Sequence, residues 1–178
     1  MHEDKDIPAE RFPDRGHLWA KPKNLPAFFY GAGWICNEAI KQVFESFEPE
    51  RHEFYPIKFT KGKAREPVET SHYMLYVRGL IDCLDIPNCR GITYSRRPDG
   101  LPPFPNLYLD ELVDGRGDVA IHEDRVQGRH LWREKTACDA EWCFASEELF
   151  TALRKAGLNK RWVSSLRTIS SKGEGLPK

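Results

Sequence analysis

With 178 residues and a mass of 20.6 kDa, the chain is large enough to bury a sizeable core and too short for two comfortable domains. Apolar residues at 40%, aromatic at 12% and charged at 30% describe an ordinary globular protein rather than a disordered, fibrous or membrane one. Twenty-seven bases balance 27 acids, so a sequence-independent grip on nucleic-acid phosphates, which needs a net basic face, is not indicated.

Residues 1–26 hold Pro8, Pro13, Pro22 and Pro26 among alternating charges, and proline denies both the helix bond and the sheet donor. They read as an irregular N-terminal arm with Phe12, Leu18 and Trp19 available to pack. The run Phe28 to Ile35, with Gly31 and Gly33 inside it, permits a short buried strand or a tight turn beneath large rings. A helix follows: Asn37 is a good N-cap, Glu38 suits the first turn, and Ile40, Val43, Phe44 and Phe47 recur at three-and-four spacing until Pro49. His52 to Phe59 predicts a strand that Pro56 places at an edge or bulge, Lys61-Gly62-Lys63 an exposed turn, and Ser71 to Val77 a second strand covered on both faces. These two strands form an antiparallel hairpin. The proline-rich stretch 87–105 reads as a long loop.

Tyr108 to Leu112 and Val119 to Ile121 flank Asp114-Gly115-Arg116-Gly117-Asp118 and predict a second hairpin. A strand at Glu141 to Ala145 leads into a helix capped by Ser146, carrying Leu149, Phe150, Leu153 and Ala156 on its apolar face and ending at Gly157. A last strand is expected at Arg161 to Ile169. The fold class is therefore α+β, a single domain with a mainly antiparallel sheet and two principal helices, because strands outnumber helices without alternating with them. The boundaries are an arm at 1–26, the α+β domain at 27–170 and a flexible tail at 171–178.

Chemistry-bearing constellations are weak. Gly31 and Gly33 lack the third glycine of a dinucleotide loop, and no phosphate-binding Gly-Lys-Ser or Gly-Lys-Thr occurs. Cys83/Cys89 and Cys138/Cys143 only loosely imitate zinc knuckles, and His122-Glu123-Asp124 with His130 lacks the helical spacing that puts two imidazoles on one face. Cys138 or Cys143 could be combined with His122 or His130 and Asp124 as nucleophile, base and orienting carboxylate, but such trios can be drawn in almost any chain with five cysteines and six histidines. Asp82 and Asp85 are better placed to cap a turn than to share proton work. We therefore assign no catalytic residue, no metal and no cofactor. The longest uncharged stretch, Asn24 to Asn37, is too short for a bilayer and interrupted by Pro26, Gly31 and Gly33. The charged opening Met1 to Asp6 lacks the apolar centre of a signal peptide, so reduced cysteines in the cytoplasm are expected.

The zero net charge conceals segregation. Stretches 1–50, 51–100, 101–150 and 151–178 carry 6 bases and 9 acids, 9 and 6, 5 and 11, and 7 and 1, or −3, +3, −6 and +6. The acidic excess includes Asp110, Glu111, Asp114, Asp118, Glu123, Asp124 and Glu134. It is either a solvated face or a surface for a basic partner. On the second reading Asp110, Glu111, Asp114, Asp118, Glu123 and Asp124 are the charged contact, with Arg129 and Trp132 as anchors, although core packing is the ordinary fate of a tryptophan.

The blocks Gly128-Arg129-His130-Leu131-Trp132-Arg133, Phe144-Ala145-Ser146-Glu147-Glu148-Leu149 and Ala152-Leu153-Arg154-Lys155-Ala156-Gly157-Leu158 resemble, in order and spacing, the C-terminal signature of the eleventh immunity-protein family of bacterial polymorphic-toxin systems, a former domain of unknown function. Phe28 to Cys36, Phe44 to Pro49, His52 to Pro56 and Tyr73 to Val77 with Asp82 are similar to its N-terminal half, so the likeness covers about residues 25–168. Asn159-Lys160 departs from the glycine that the family commonly places before its last strand. The resemblance implies a cytoplasmic, non-catalytic antidote that binds and neutralises a cognate secreted protein toxin, with neither nucleic acid nor membrane as partner. The alternatives are a small Cys/His-dependent hydrolase or transferase and a homodimeric interaction module joined through exposed tryptophans.

Overall fold

The computed structural model describes residues 8–19, 24–31, 33–89, 92–95, 104–107, 119–135 and 143–159. In chain order the elements are β1 (Arg15–Leu18), β2 (Phe28–Tyr30), β3 (Trp34–Asn37), α1 (Glu38–Phe47), β4 (Glu53–Lys61), β5 (Glu66–Tyr76), β6 (Leu80–Ile81), β7 (Ile92–Ser95), β8 (Phe104–Leu107), α2 (Glu123–Val126), β9 (Leu131–Glu134), β10 (Cys143–Ala145) and α3 (Glu147–Lys155). Single 3-10 turns occupy Ala9–Arg11 and Ile86–Asn88. The class is α+β with mostly antiparallel pairing, as expected. Described residues up to Arg78, together with those from Ala145 onward, form one compact unit; those from Gly79 to Phe144 form another.

The first unit is a five-stranded sheet in the order β1-β4-β5-β3-β2. Strand β5 pairs antiparallel with β4 on one side and β3 on the other, while β2 and β3 form a tight hairpin closed by Gly31 N–H to Gly33 O at 2.9 Å. Helix α1 starts where anticipated, with Asn37 Oδ1 accepting from the Ile40 amide at 3.0 Å. It lies against one face of the sheet: Phe44 meets Phe28 and Phe54, and the Lys41 ammonium, held by Glu45 at 2.9 Å, sits over the Phe54 and Tyr73 rings. The opposite face buries Ile35, Ile57 and Phe59 with Leu18, Leu25, Phe29 and Val68. Both faces are covered, which explains why β5 shows no clean polar alternation. Pro56 lies in the stretch of β4 that has β5 on one side and no described strand on the other, just before a register shift between Ile57 and Phe59. Helix α3 is capped by the Ser146 hydroxyl, which accepts from the Leu149 amide, and ends at Gly157, whose φ of 107° suits glycine.

The arm differs from its expectation. Arg15–Leu18 is a regular strand, parallel to Lys58–Lys61, because the four prolines fall outside the residues that pair. Gly16 is what allows the approach: a Cβ there would fall inside the contact radius of the buried Phe59 ring. Phe12 stacks on Tyr55 with ring centroids 4.1 Å apart, so the arm also packs as anticipated at that residue.

The second unit contains a three-stranded sheet in the order β10-β9-β6, with β6 and β9 parallel, and the separate antiparallel pair β7-β8. The 87–105 stretch is therefore not all loop. A two-stranded ribbon leaves each strand one open side, so Pro105 opposite Tyr94 is tolerated. Val119–Ile121 makes an isolated bridge from Ile121 to Leu84, while the Tyr108–Leu112 half of the expected second hairpin lies outside the described residues, as do the last strand and the tail. The core here is Cys83, Leu84, Val119, Ile121, Trp132 and Phe144.

A buried polar pair is attached to the end of α1. His52 Nε2 lies 2.7 Å from Glu48 Oε2, and the Arg78 amide donates to His52 Nδ1 at 3.3 Å, so Nε2 carries the proton and donates. Burial pushes the His52 pKa below its ordinary value near 6.5, opposed by the Glu48 carboxylate and reinforced by the Arg51 charge. Because the unfolded chain takes up a proton there more readily than the folded one, His52 supplies stability that is present above pH 6.5 and is lost as pH falls through its depressed folded value. Thermal melts between pH 7.5 and 5 should show Tm falling, and His52→Gln, which keeps a donor to Glu48, should flatten that slope. Gly16→Ala should cost about 1–3 kcal/mol in urea unfolding, the usual range for forcing extra volume into a packed core.

Candidate partner-binding surface

Of the six acidic candidates, Glu123 and Asp124 lie within the described residues. They form the first turn of α2, where carboxylates complement the helix dipole, and both are exposed. From the same turn Arg125 reaches back, its guanidinium donating to the Asp82 carbonyl at 2.7 Å and lying 3.4 Å from the Asp82 carboxylate. Asp85 instead occupies the N-cap position of the 86–88 turn, where its carboxylate accepts from the Asn88 side-chain Nδ2 at 2.7 Å, so Asp82 and Asp85 are engaged separately. Asp110, Glu111, Asp114 and Asp118 lie outside the described residues. Arg129 is half-buried just after α2, its amide donating to the Val126 carbonyl at 3.0 Å.

Trp132 is not at the surface. It is 4% exposed and stacked on Phe144 with centroids 5.8 Å apart, the core alternative of the two. Its Nε1 donates to Cys83 Sγ at 3.2 Å, and Glu134 accepts from both the Cys83 amide at 3.0 Å and the Cys83 thiol at 2.9 Å. Glu134, counted above in the acidic excess, is 1% exposed and belongs to the core. A buried carboxylate needs donors, and Cys83 provides two. One signal in the sequence could have found it: Glu134 continues the apolar Leu131-Trp132 strand at the position facing inward with Trp132, two residues on.

Three thiols, Cys36, Cys83 and Cys89, are held away from nucleophilic form. Burial raises Cys36 to about 12, and burial followed by the Glu134 contact pushes Cys83 well above the usual thiol range. Cys89 is raised by burial as well. Cys143, half-buried, begins β10, His122 sits at the α2 N-cap position and His130 is half-buried, while Cys138 lies outside the described residues. Among the described residues, no group of three or more His, Cys, Asp or Glu is placed to hold a metal ion. No helix among them is long and apolar enough to cross a membrane. An open polar cleft of about 430 Å³ lies at the start of α1, between Asn37, Glu38, Lys61, Thr70 and His72. Its one imidazole is already engaged, with Nε2 donating to the Pro26 carbonyl at 3.1 Å and the Thr70 hydroxyl at Nδ1.

Residues 3–167 match the model of the Immunity protein family (Imm11). No curated protein matches the chain.

The division between surface and core acids has a measurable consequence. Glu134→Ala strips a buried network of its acceptor and should cost about 2–3 kcal/mol, whereas Glu123→Ala and Asp124→Ala should stay within about 0.5 kcal/mol in denaturant unfolding.

Proposed function

The chain belongs to the immunity protein family (Imm11), and from that membership we propose that it is an antitoxin: it binds a cognate secreted protein toxin and neutralises it by covering the toxin's working surface. The observation that carries this is the extent of the match, residues 3–167, which leaves little of the chain for any other role. On this reading the protein serves a bacterial polymorphic-toxin system in interbacterial competition, acts in the cytoplasm and performs no chemistry of its own. The burial that raises Cys36 and Cys83 supports it for those two thiols, since a thiol hydrolase would need a thiolate.

Neutralisation by occlusion asks for an interface of about 1,200–2,000 Å² and for charge complementarity that speeds encounter. We propose that the acidic stretch from Asp110 to Asp124 supplies that complementarity towards a basic toxin patch. Glu123 and Asp124 support the idea by being exposed on one helical turn. Trp132 takes no part in it, being core.

The test uses the toxin encoded beside this gene. Co-expression should restore growth to cells that the toxin arrests, and calorimetry with purified, inactivated toxin should show a stoichiometric complex. Glu123→Lys/Asp124→Lys should slow association about tenfold at low salt and by less at high salt. A toxin that neither binds nor is neutralised would overturn the antitoxin role; one that binds both proteins equally would remove the acidic surface and leave the role standing.

A further inference from the structure

We propose that the toxin is anchored by the exposed indole of Trp19 together with the cations of the adjoining β4-β5 turn, and that the toxin receives them in an apolar pocket rimmed by carboxylates. The inference rests on the antitoxin reading alone, independently of the acidic stretch and the basic patch proposed for it, and adds a place where the partner is held.

Trp19 directly follows β1 and is 90% exposed, whereas Phe12, Tyr55, Phe28, Trp34, Phe29 and Phe59 of the same unit stack on or tilt against one another. It is not needed for the core, where Leu18 and Phe59 already occupy the space beneath β1. Nor is its position loosely set. The ring stands edge-on to His17, centroids 5.0 Å apart at 86°, and His17 Nδ1 lies 3.0 Å from the Thr60 hydroxyl on β4. The Leu18 carbonyl accepts from the Gly62 amide at 3.0 Å, which ties the backbone next to Trp19 to the turn after β4.

That turn is tight, with Gly62 at φ 64° and Arg65 at φ 52°, and it presents Lys63 and Arg65 to solvent. Lys58 is exposed on the β4 segment that pairs with β1. Among the described residues, none of these three cations pairs with a carboxylate. Because β1 is the edge of its sheet, no described strand lies beyond it.

An indole left in water forgoes burial of about 150–250 Å², and tryptophan with arginine is the commonest combination at the energetic centre of protein interfaces. The unpaired cations of the turn tied to it, with Lys58 further along β4, favour an anionic rim on a protein partner, which carboxylates supply. A nucleic-acid strand would instead call for successive rings stacking along a basic groove, and here one ring stands beside one turn.

The probe is the purified, catalytically inactivated toxin encoded beside this gene, with binding followed by surface plasmon resonance at low and high salt and folding checked by thermal melting. Trp19→Ala should weaken binding about 30-fold or more, mainly through faster dissociation, and Trp19→Phe should recover part of the loss. Lys63→Glu/Arg65→Glu should slow association about tenfold at low salt, with the effect shrinking at high salt. Binding unchanged within about twofold in Trp19→Ala, against the tenfold that each 1.4 kcal/mol represents, overturns the proposal while the antitoxin role stands. So does a Trp19→Ala effect confined to self-association in sedimentation, or tight binding of a DNA duplex that competes with the toxin. Failure of the unmodified protein to bind the toxin overturns the antitoxin reading itself.

Discussion

Strand β5 is the constraint on which the first unit depends. Its eleven residues pair with β4 along one edge and β3 along the other, so the register of three strands is set by one segment. Slipping β5 by one residue would move His72 and Met74 to the helix-covered face and Tyr73 and Leu75 to the other. Both faces are closed by rings, which makes such a slip costly on either side. Helix α1 follows β3 without a loop and crosses back over Phe54 and Tyr73, so its orientation is inherited from the same pairing.

The two buried acids among the described residues, Glu48 and Glu134, show different solutions to one problem. Glu48 faces a histidine kept uncharged by burial and backbone contact, together with Arg51 3.6 Å away at the edge of the site. Glu134 accepts from an amide and a thiol of the same residue, Cys83, and its carboxylate raises that thiol further as a consequence. Such groups stabilise little relative to an apolar core, but removing one partner leaves the other stranded, so they tie Cys83 and β9 to a single arrangement.

Legibility in the sequence followed the locality of the signal. Asn37 and Ser146 announced both principal helices because a cap, a charge preference and a stop lie within a dozen residues of one another. The antiparallel β4-β5 pairing was equally legible, but the expected strand at Ser71 to Val77 missed the first five residues of β5, Glu66 to Thr70, and with them how tight the turn before them is. Strand β1 was not, since its partner lies more than forty residues away and nothing in Arg15-Gly16-His17-Leu18 alternates. Strands β7 and β8 were hidden by prolines that a two-stranded ribbon accommodates. At the surface, exposed Glu123 and Asp124 could be read from composition, while Glu134 could not be told from them by charge alone, and Trp19, expected to pack along with Phe12 and Leu18, instead stands 90% exposed because the core beneath β1 is filled without it.

The parallel pairing of β1 with β4 carries a kinetic meaning. A strand whose partner is this distant in sequence closes a long loop before it gains a hydrogen bond, and the four-residue ladder it then forms is short. Loop-closure entropy therefore sets its pairing at a disadvantage to the local β4-β5 ladder, which gains its hydrogen bonds at a much shorter separation. The position of the indole next to it thus depends on a contact between distant parts of the chain, since the Leu18 carbonyl meets the Gly62 amide only where β1 lies along β4.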